Sequence, residues 1–250
     1  MNAVEPVVST ALTETDRAVF DQLLALEGVL TRYYEWTYDV IAPWLGGSLM
    51  EVGSGNGMMS RYLVARGQPI VLTDCHPPYL LRLRAQYGAL RRVSFQLLDL
   101  RKPPAVAPPG LDTVVCLNVL EHLEDDHAGV RALAAMLPAG GRLVIQVPNY
   151  PFLHGSLDTA FGHVRRYTRP TLSAALHAGG FRVVSMRNFN PLAIPGWLVA
   201  SKLQRARRVN VRAARLFNRI VPLARRLDVL SRFAGLALIA CAERRDTQLA

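Results

Sequence analysis

The segment LMEVGSGNG occupies residues 49–57, where an apolar run leads directly into three alternating glycines. An amphipathic segment, residues 58–66, follows at once. The pattern predicts a β-strand, a tight turn and the start of a helix, because a backbone that turns with positive φ disfavours residues with a Cβ atom. The N–H groups at the start of such a helix are free to bind a polar ligand. We therefore expect a ligand-binding loop here.

The spacing of the glycines distinguishes between kinds of loop. A dinucleotide-binding loop needs Gly-x-Gly-x-x-Gly, and Met58 stands where its third glycine belongs. A P-loop needs a Gly-Lys-Ser/Thr ending, which this segment lacks. The glycines fall instead at Gly53, Gly55 and Gly57, with Glu51 two residues upstream. This Glu-x-Gly-x-Gly-x-Gly pattern resembles motif I of the class I S-adenosylmethionine-dependent methyltransferases.

The composition fits a single α/β domain. Half of the 250 residues are apolar, which is enough for one large core. The three cysteines, Cys75, Cys116 and Cys241, lack metal-ligand spacing and are expected to be reduced core thiols. No apolar run reaches the roughly 18 residues of a membrane span, and no basic signal-like region begins the chain. These features lead us to expect a cytoplasmic protein.

Strand-like and helix-like segments alternate after the glycine loop. The patterns predict strands at 69–74, 93–98, 112–118 and 141–147 and helices at 77–89 and 127–137. Alternating βαβ units predict a parallel sheet with helices on both faces. Helical periodicity also covers residues 13–42, while residues 1–12 are expected to be a loose tail.

Polar residues at the strand ends are candidates for ligand contacts, since ligands bind such sheets outside the carboxyl ends of the strands. Asp74 can accept hydrogen bonds from both ribose hydroxyls of an adenosine-containing ligand, and Asp99 from an exocyclic amine. Leu100 offers an apolar contact to an adenine, and Asn118 ends the fourth strand. The alternative for each single residue is a helix cap or a solvated turn.

The resemblance to class I methyltransferases extends over residues 45–147. Residues 118–123 (NVLEHL) resemble the segment after the fourth strand, and residues 137–143 (LPAGGRL) resemble the approach to the fifth. The resemblance implies a doubly wound, mostly parallel seven-stranded sheet of Rossmann-like type, with S-adenosyl-L-methionine as the cofactor. It implies a cofactor-binding set of Glu51, Gly53, Gly55, Gly57, Asp74, Asp99, Leu100 and Asn118.

A metal site is not expected. Glu121 and His122 are adjacent, so they cannot chelate one ion from a single helix face, and no His-x-x-x-His pattern accompanies them. Some similar O-methyltransferases do use a divalent ion. The expectation is nevertheless that His122 packs beside the cofactor.

The loop after the fifth strand is the expected acceptor side, because substrate chemistry is commonly placed on loops at this edge. Residues 163–168 (HVRRYT) resemble a segment of bacterial type 11/12-like methyltransferases. A hydroxyl acceptor must lose a proton, and histidine suits that transfer near neutral pH. His163 is the first candidate base, followed by His154 and Tyr167, and the alternative for each histidine is a hydrogen bond to the backbone.

The last part of the chain predicts a helix at 171–178, a sixth strand at 181–188 and a seventh at 235–242. In the resembling fold the two strands pair as an antiparallel hairpin, so the residues between them must form an insertion. We therefore expect one domain over 1–250, with a helical cap at 13–45, a cofactor-binding core at 46–190, a helical insertion at 191–234 and the last strand at 235–244.

The insertion carries most of the charge. Residues 200–232 hold ten basic residues and one acid, against a net charge of +10 for the whole chain. Arg212, Arg215 and Arg219 share one helical face beside an apolar stripe of Ala213, Leu216, Phe217 and Ile220, and Pro222 is expected to kink or end that helix. The pattern of residues 197–232 therefore predicts a surface that binds anionic membrane lipid. The alternative is a cap packed on the sheet with a solvated basic face.

Two functions remain open. The first is methyl transfer, most simply O-methylation, to a small-molecule, saccharide or lipid-linked acceptor, on a protein that is cytoplasmic or peripheral at the inner membrane face. The second is methylation of RNA or the ribosome, which the basic charge favours. Base-modifying methyltransferases commonly carry Asn/Asp-Pro-Pro-Tyr/Phe after strand four, where this chain has residues 118–121 (NVLE). That difference disfavours a nucleic-acid partner.

Overall fold

A seven-stranded sheet forms the centre of the structure, a computed structural model that describes residues 13–102 and 107–246. The strands, in chain order, are β1 Leu49–Val52, β2 Ile70–Asp74, β3 Val93–Leu97, β4 Thr113–Leu117, β5 Arg142–Pro148, β6 Phe181–Phe189 and β7 Ala237–Arg244. Their spatial order is β3-β2-β1-β4-β5-β7-β6. Strands β1 to β5 pair in parallel, and β7 is antiparallel to both β5 and β6. The predicted Rossmann-like sheet and its terminal hairpin are confirmed.

Helices cover both faces of the sheet. They are α1 Glu14–Leu26, α2 Thr31–Ile41, α3 Ser60–Ala65, α4 Pro77–Tyr87, α5 Asp126–Ala135, α6 Ser156–Phe161, α7 Arg169–Ala178, α8 Ala193–Leu198 and α9 Val211–Arg226. Successive side chains of a strand point to opposite faces, so Val114 and Cys116 lie in one apolar cluster and Val115 in the other. Burial on both faces explains why the strands read as continuous apolar runs.

Some boundaries differ from those predicted. The helix expected over 58–66 is only Ser60–Ala65, because Gly57 has φ +84° and the turn continues past it. Residues 156–161 form α6 where a polar loop was expected. The helix containing Pro222 does not end there, since α9 continues to Arg226. The expected tail at 1–12 lies outside the described residues.

The insertion packs on the helical cap through α9 and α2. Val221 and Ala224 of α9 are buried, and Phe217 contacts the ring of Tyr33 at a centroid distance of 6.1 Å. The apolar stripe predicted from the sequence is therefore divided, because Leu216 and Ile220 face outward while Phe217 faces α2. Among the described residues, no helix has the length and apolar character required to cross a bilayer.

Candidate functional site

The glycine loop lies where the strand order reverses, between the carboxyl ends of β1 and β4. Gly53 and Gly57 have φ of +72° and +84°, in the region that favours glycine. A Cβ atom on Gly53 would stand 2.4 Å from Cγ2 of Val119, so only glycine fits against the residue that follows β4. This position in an open α/β sheet is where ligands bind.

Asp74 connects the end of β2 to the glycine loop. Its Oδ2 atom accepts a hydrogen bond from the backbone N–H of Gly55 at 2.9 Å, and Oδ1 accepts one from that of His76 at 2.9 Å. Burial raises the pKa of this carboxyl group. A carboxylate has about four lone-pair sites, so Asp74 keeps the capacity to accept two ribose hydroxyls.

Glu51 lies beneath the loop and is buried. Its Oε2 atom accepts a hydrogen bond from the Ser60 hydroxyl at 2.5 Å. Burial raises the pKa of Glu51 to about 7, although the hydrogen bonds from Ser60 and Ser54 act in the opposite direction. The loop therefore has a carboxyl group below it and a carboxylate beside it.

Helix α1 forms a wall across the loop. The Asn56 side-chain amide donates to the Leu23 carbonyl oxygen at 2.8 Å, and the rings of Phe20 and Tyr79 lie 4.9 Å apart. The predicted helical cap thus packs directly on the loop and on the start of α4. A Cβ atom on Gly55 would lie 3.9 Å from Cδ1 of Leu23, so α1 also approaches the loop at this glycine.

The other predicted cofactor residues lie at neighbouring strand ends with partners of their own. Burial acts to raise the pKa of Asp99, but the Arg101 side chain, which donates to both carboxylate oxygens at 2.8 and 3.0 Å, holds that pKa below its usual value. Leu100 is buried in the core. Asn118 is exposed, with φ +55°, directly after β4.

These residues fit an adenosine-bearing cofactor. Gly53 and Gly55 are only partly buried, Asp74 presents an acceptor for hydroxyl groups, and Asn118 holds a left-handed conformation at the neighbouring strand end. Such strained positions concentrate at functional sites. The structure thus brings the glycine loop, Asp74 and Asn118 to one edge of the sheet; the role of each in cofactor binding stays a prediction.

A cluster of ionisable groups, Glu121, His122, Asp158 and His163, lies beyond β4. Glu121 and His122 form a short 3₁₀ turn after β4, while Asp158 and His163 come from α6 and the loop behind it. The His163 Nδ1 atom lies 3.1 Å from Oδ1 of Asp158, and its Nε2 atom lies 3.9 Å from Oε1 of Glu121. The rings of His122 and His163 meet edge to face at 4.9 Å.

Burial shifts the titration of this cluster. Burial raises the pKa of Glu121 to about 7. The electrostatic influence of His163 lowers that pKa but offsets only part of the effect of burial. Burial lowers the pKa of His122 to about 4, and repulsion from His163 acts in the same direction. Asp158 behaves differently: burial acts to raise its pKa, but hydrogen bonds from His163 and Arg166 hold it below the usual value. Asp158 is therefore an ionised anchor near neutral pH.

A buried ion pair fixes the cluster to β5. The Arg166 Nε atom donates to Oδ1 of Asp158 at 2.7 Å, and its Nη1 atom donates to the carbonyl oxygen of Asn149 at 2.9 Å. The guanidinium also stacks over the Trp197 ring at 4.7 Å. Sequence analysis placed residues 163–168 on the acceptor side but gave no role to Asp158, whose local signal is an acid three residues after Gly155 at a helix start.

The other two candidate bases are less suitably placed. The His154 Nε2 atom lies 3.1 Å from the backbone oxygen of His163, which matches the backbone-bonded alternative. Tyr167 is buried and its hydroxyl donates to Asp126 at 2.9 Å. Burial raises the pKa of Tyr167 far above its ordinary value. The phenol therefore keeps its own proton and cannot take one from an acceptor.

Tyr150 is a strained residue at the end of β5. Its φ of +62° is unusual for an aromatic residue, and its ring lies 5.3 Å from the ring of Phe152, whose side chain is exposed. Hydrogen bonds from its backbone N–H to the Tyr167 carbonyl oxygen and to the Asn149 side chain stabilise this conformation. An aromatic pair thus stands in the loop after β5, which the sequence predicts to be the acceptor side.

Comparison with known proteins gives a consistent result. Residues 50–143 match the family model described as a methyltransferase domain. The chain is 29% identical over 106 residues to a ubiquinone biosynthesis O-methyltransferase of Xanthomonas euvesicatoria, covering 42% of this chain and 44% of that protein. It is 28% identical over 189 residues to a probable S-adenosylmethionine-dependent methyltransferase of Mycobacterium tuberculosis, covering 72% and 67%.

The fold has solved counterparts. An S-adenosylmethionine-dependent methyltransferase from Mesorhizobium loti superposes with a TM-score of 0.59 at 18% identity, covering 84% of this chain and 98% of that one. At that identity the likeness concerns the fold. The chain spans less than half the length of the ubiquinone-pathway relatives that it matches.

Proposed function

We propose that this chain, a member of the class I S-adenosylmethionine-dependent methyltransferases, transfers the methyl group of that cofactor to a hydroxyl group of a small-molecule or lipid-linked acceptor. The observation that carries the proposal is the glycine loop at the switch point of the sheet, with Asp74 bound to its backbone. The predicted cofactor residues come from the carboxyl ends of β1 to β4, the edge of the sheet on which that loop lies.

Methyl transfer requires alignment and removal of a proton. The cofactor supplies an activated methyl group and its own leaving group, so the chain must position the acceptor and take a proton from its hydroxyl. We assign His163 as the general base that accepts this proton. With Nδ1–H donating to ionised Asp158, the lone pair of Nε2 is free to accept it.

O-methylation is favoured over N- or C-methylation by two observations. A hydroxyl group needs a general base, and the Asp158–His163 pair is a suitable one. The first relatives that the chain matches are named as O-methyltransferases. The strained aromatic pair of Tyr150 and Phe152 is the contact that we assign to an apolar part of the acceptor.

The test is transfer of a labelled methyl group to hydroxylated small molecules. His163→Ala should reduce the rate by about 10²–10⁴ while the affinity for S-adenosylmethionine stays nearly constant, because general-base catalysis acts in the transition state. The matched control is His177→Ala, at an exposed histidine on α7. Unchanged turnover in His163→Ala would remove His163 from the reaction, and transfer into RNA alone would favour the nucleic-acid function.

We further propose that the acceptor is reached at an anionic membrane surface. The outer side of α9 and the turn after it expose an apolar surface made of Leu216, Ile220, Leu223, Leu227, Val229, Leu230 and Phe233, of which Leu216 is 61% and Phe233 79% exposed. We call it the outer apolar surface. Exposed arginines flank it at Arg212, Arg215, Arg219 and Arg226. Apolar side chains rimmed by arginine suit a membrane interface, where the guanidinium groups reach lipid phosphates.

Vesicle co-sedimentation tests this surface. Each engaged basic residue contributes about 1 kcal/mol near an anionic bilayer, so the protein should bind phosphatidylglycerol vesicles and not phosphatidylcholine vesicles. Changing Arg212, Arg215 and Arg219 to Glu should abolish binding. The same reversal at Arg91, Arg92 and Arg131, which are exposed elsewhere, should not abolish it. Equal loss in both variants, or RNA binding with a steep salt dependence and no vesicle binding, would contradict the proposal.

A further inference from the structure

The Glu121 carboxylate is the most unusual polar group among the described residues. Its side chain is 0% exposed, and neither carboxylate oxygen has a hydrogen-bond partner within the described part of the chain. Burying an unpartnered carboxylate is costly, because neither water nor protein replaces its hydration. The backbone that follows β4 nevertheless holds Glu121 in this position. A missing partner is the simplest physical explanation.

Two imidazole rings face the same space. Potential ligand atoms of Glu121, His122 and His163 all lie within 4.8 Å of one another. The 3.9 Å between Nε2 of His163 and Oε1 of Glu121 is too long for a hydrogen bond. The two rings stand nearly perpendicular, at 86°, so their nitrogen lone pairs approach one region from different directions. Three donor groups therefore surround a common centre.

Asp158 fixes the orientation of His163. Because Nδ1 of the ring is bonded to this carboxylate, the neutral ring carries its lone pair on Nε2, on the side of Glu121. A lone pair and a carboxylate at this distance repel each other unless a proton or a metal cation lies between them. A carboxylate behind a histidine is the arrangement that orients metal-binding imidazoles. Arg166 in turn holds Asp158 at 2.7 Å.

We propose that Glu121, His122 and His163 bind a divalent transition-metal ion. Two imidazoles and one carboxylate suit Mn²⁺, Fe²⁺, Co²⁺ or Zn²⁺, whereas Mg²⁺ and Ca²⁺ prefer a shell of oxygen atoms. Three protein ligands leave a position open for a water molecule or for the acceptor hydroxyl. His163 reaches the cluster from the loop after α6, which is why the adjacent pair Glu121 and His122 showed no chelating pattern in the sequence.

The ion would change how the acceptor is activated. An acceptor hydroxyl bound to a divalent ion would lose its proton more readily, and the proton would pass to water, so His163 would serve as a ligand rather than as the base. In this respect the inference rests on the proposed function. Ion binding is measured with neither substrate present, so its outcome is independent of any assay of methyl transfer.

Cobalt titration of the chelator-treated full-length chain tests the site, since Co²⁺ bound to nitrogen and oxygen ligands absorbs visible light. We expect one Co²⁺ per chain by absorbance and calorimetry, and its displacement by Zn²⁺. Glu121→Gln keeps the shape of the side chain and should weaken binding by about tenfold or more, as should His163→Gln. The matched control, His177→Gln, changes an exposed histidine on α7 and should bind as the wild type does.

Three results would overturn the site: no saturable binding of Co²⁺, equal affinity in Glu121→Gln and the wild type, or binding of Mg²⁺ without Co²⁺. Melting curves of the metal-free proteins show whether a variant has lost its fold rather than its metal site. Metal-free Glu121→Gln should melt no lower than the wild type, because the change removes a buried carboxylate that has no hydrogen-bond partner among the described residues. If that variant unfolds, His163→Gln alone decides the question, since the His163 side chain is partly exposed and adjoins the surface.

Discussion

Glu51, a buried residue of β1 beneath the glycine loop, makes the stability of the fold depend on pH. Its pKa of about 7 in the folded chain stands above the ordinary value of 4.5. Below the ordinary value both states are protonated, and the stability is fully present. As the pH rises towards 7, the unfolded chain ionises and the folded chain does not, so the folded state loses stability across this window.

Glu51→Gln should remove this dependence. The variant has no carboxyl group to ionise, so relative to the wild type it should gain on the order of 3 kcal/mol between pH 4.5 and pH 8. Urea unfolding at both pH values measures the difference. Glu121, whose pKa is also raised to about 7, is present in both proteins, so its contribution to the pH dependence of the unfolding free energy cancels. A constant difference between the two proteins at both pH values would show that Glu51 ionises normally.

The residues that the sequence could identify were those with local signals. Gly53, Gly57 and Asp74 follow directly from a turn and a strand end, so pattern alone located them. The approach of His163 to Glu121 depends on α6 and on the buried Asp158–Arg166 pair. Such a contact between distant parts of the chain has no counterpart in spacing, which is why the cluster was not recognised.

At the scale of elements, α2 receives its N-terminal cap from α9. Leu30 precedes the helix and provides no side-chain hydrogen bond. The Asn218 side-chain oxygen instead accepts from the backbone N–H groups of Arg32 at 2.9 Å and Tyr33 at 3.2 Å. The insertion thereby stabilises the helix that precedes the core.

Asn218→Ala should lower the free energy of unfolding by about 1 kcal/mol, the usual cost of losing a cap. Denaturant unfolding gives the energy, and hydrogen exchange locates it, because the amides of Arg32 and Tyr33 should lose protection. Arg226→Ala, an exposed change on the same helix, serves as the control and should stay within about 0.5 kcal/mol of the wild type. Unchanged exchange at Arg32 and Tyr33 would refute the capping role.

Elements were predictable where burial dominates the pattern. The inner strands are buried on both faces and therefore read as apolar runs bounded by Gly, Pro or Asp. Helix α6 has six residues and little periodicity, and Asp158 holds it through the N–H of Gly155 and the Arg166 side chain. An element stabilised by one buried ion pair is not visible in a hydrophobic pattern.

In the molecule as a whole, the predicted cofactor site and most of the positive charge belong to different parts of the chain. The predicted cofactor residues lie at the carboxyl ends of β1 to β4, whereas residues 200–232 account for nearly all the net positive charge. The parallel sheet followed from alternating segments, and its terminal antiparallel hairpin from the resemblance to a known fold. Periodicity alone assigned Phe217 and Leu216 to one apolar stripe. In the structure, the contact of α9 with α2 decides which face of α9 is buried, so Phe217 packs and Leu216 is exposed.

Calorimetric titration with S-adenosylmethionine shows whether the glycine loop and Asp74 bind the cofactor. The wild type should bind one molecule per chain, and Asp74→Ala should weaken binding about ten- to a hundredfold, as expected from loss of a charge-assisted hydrogen bond worth about 1.5–3 kcal/mol. Asp39→Ala, which removes an acid paired with Arg225, is the control and should bind normally. Absence of binding by the folded wild type, or equal affinity in Asp74→Ala, would contradict the account.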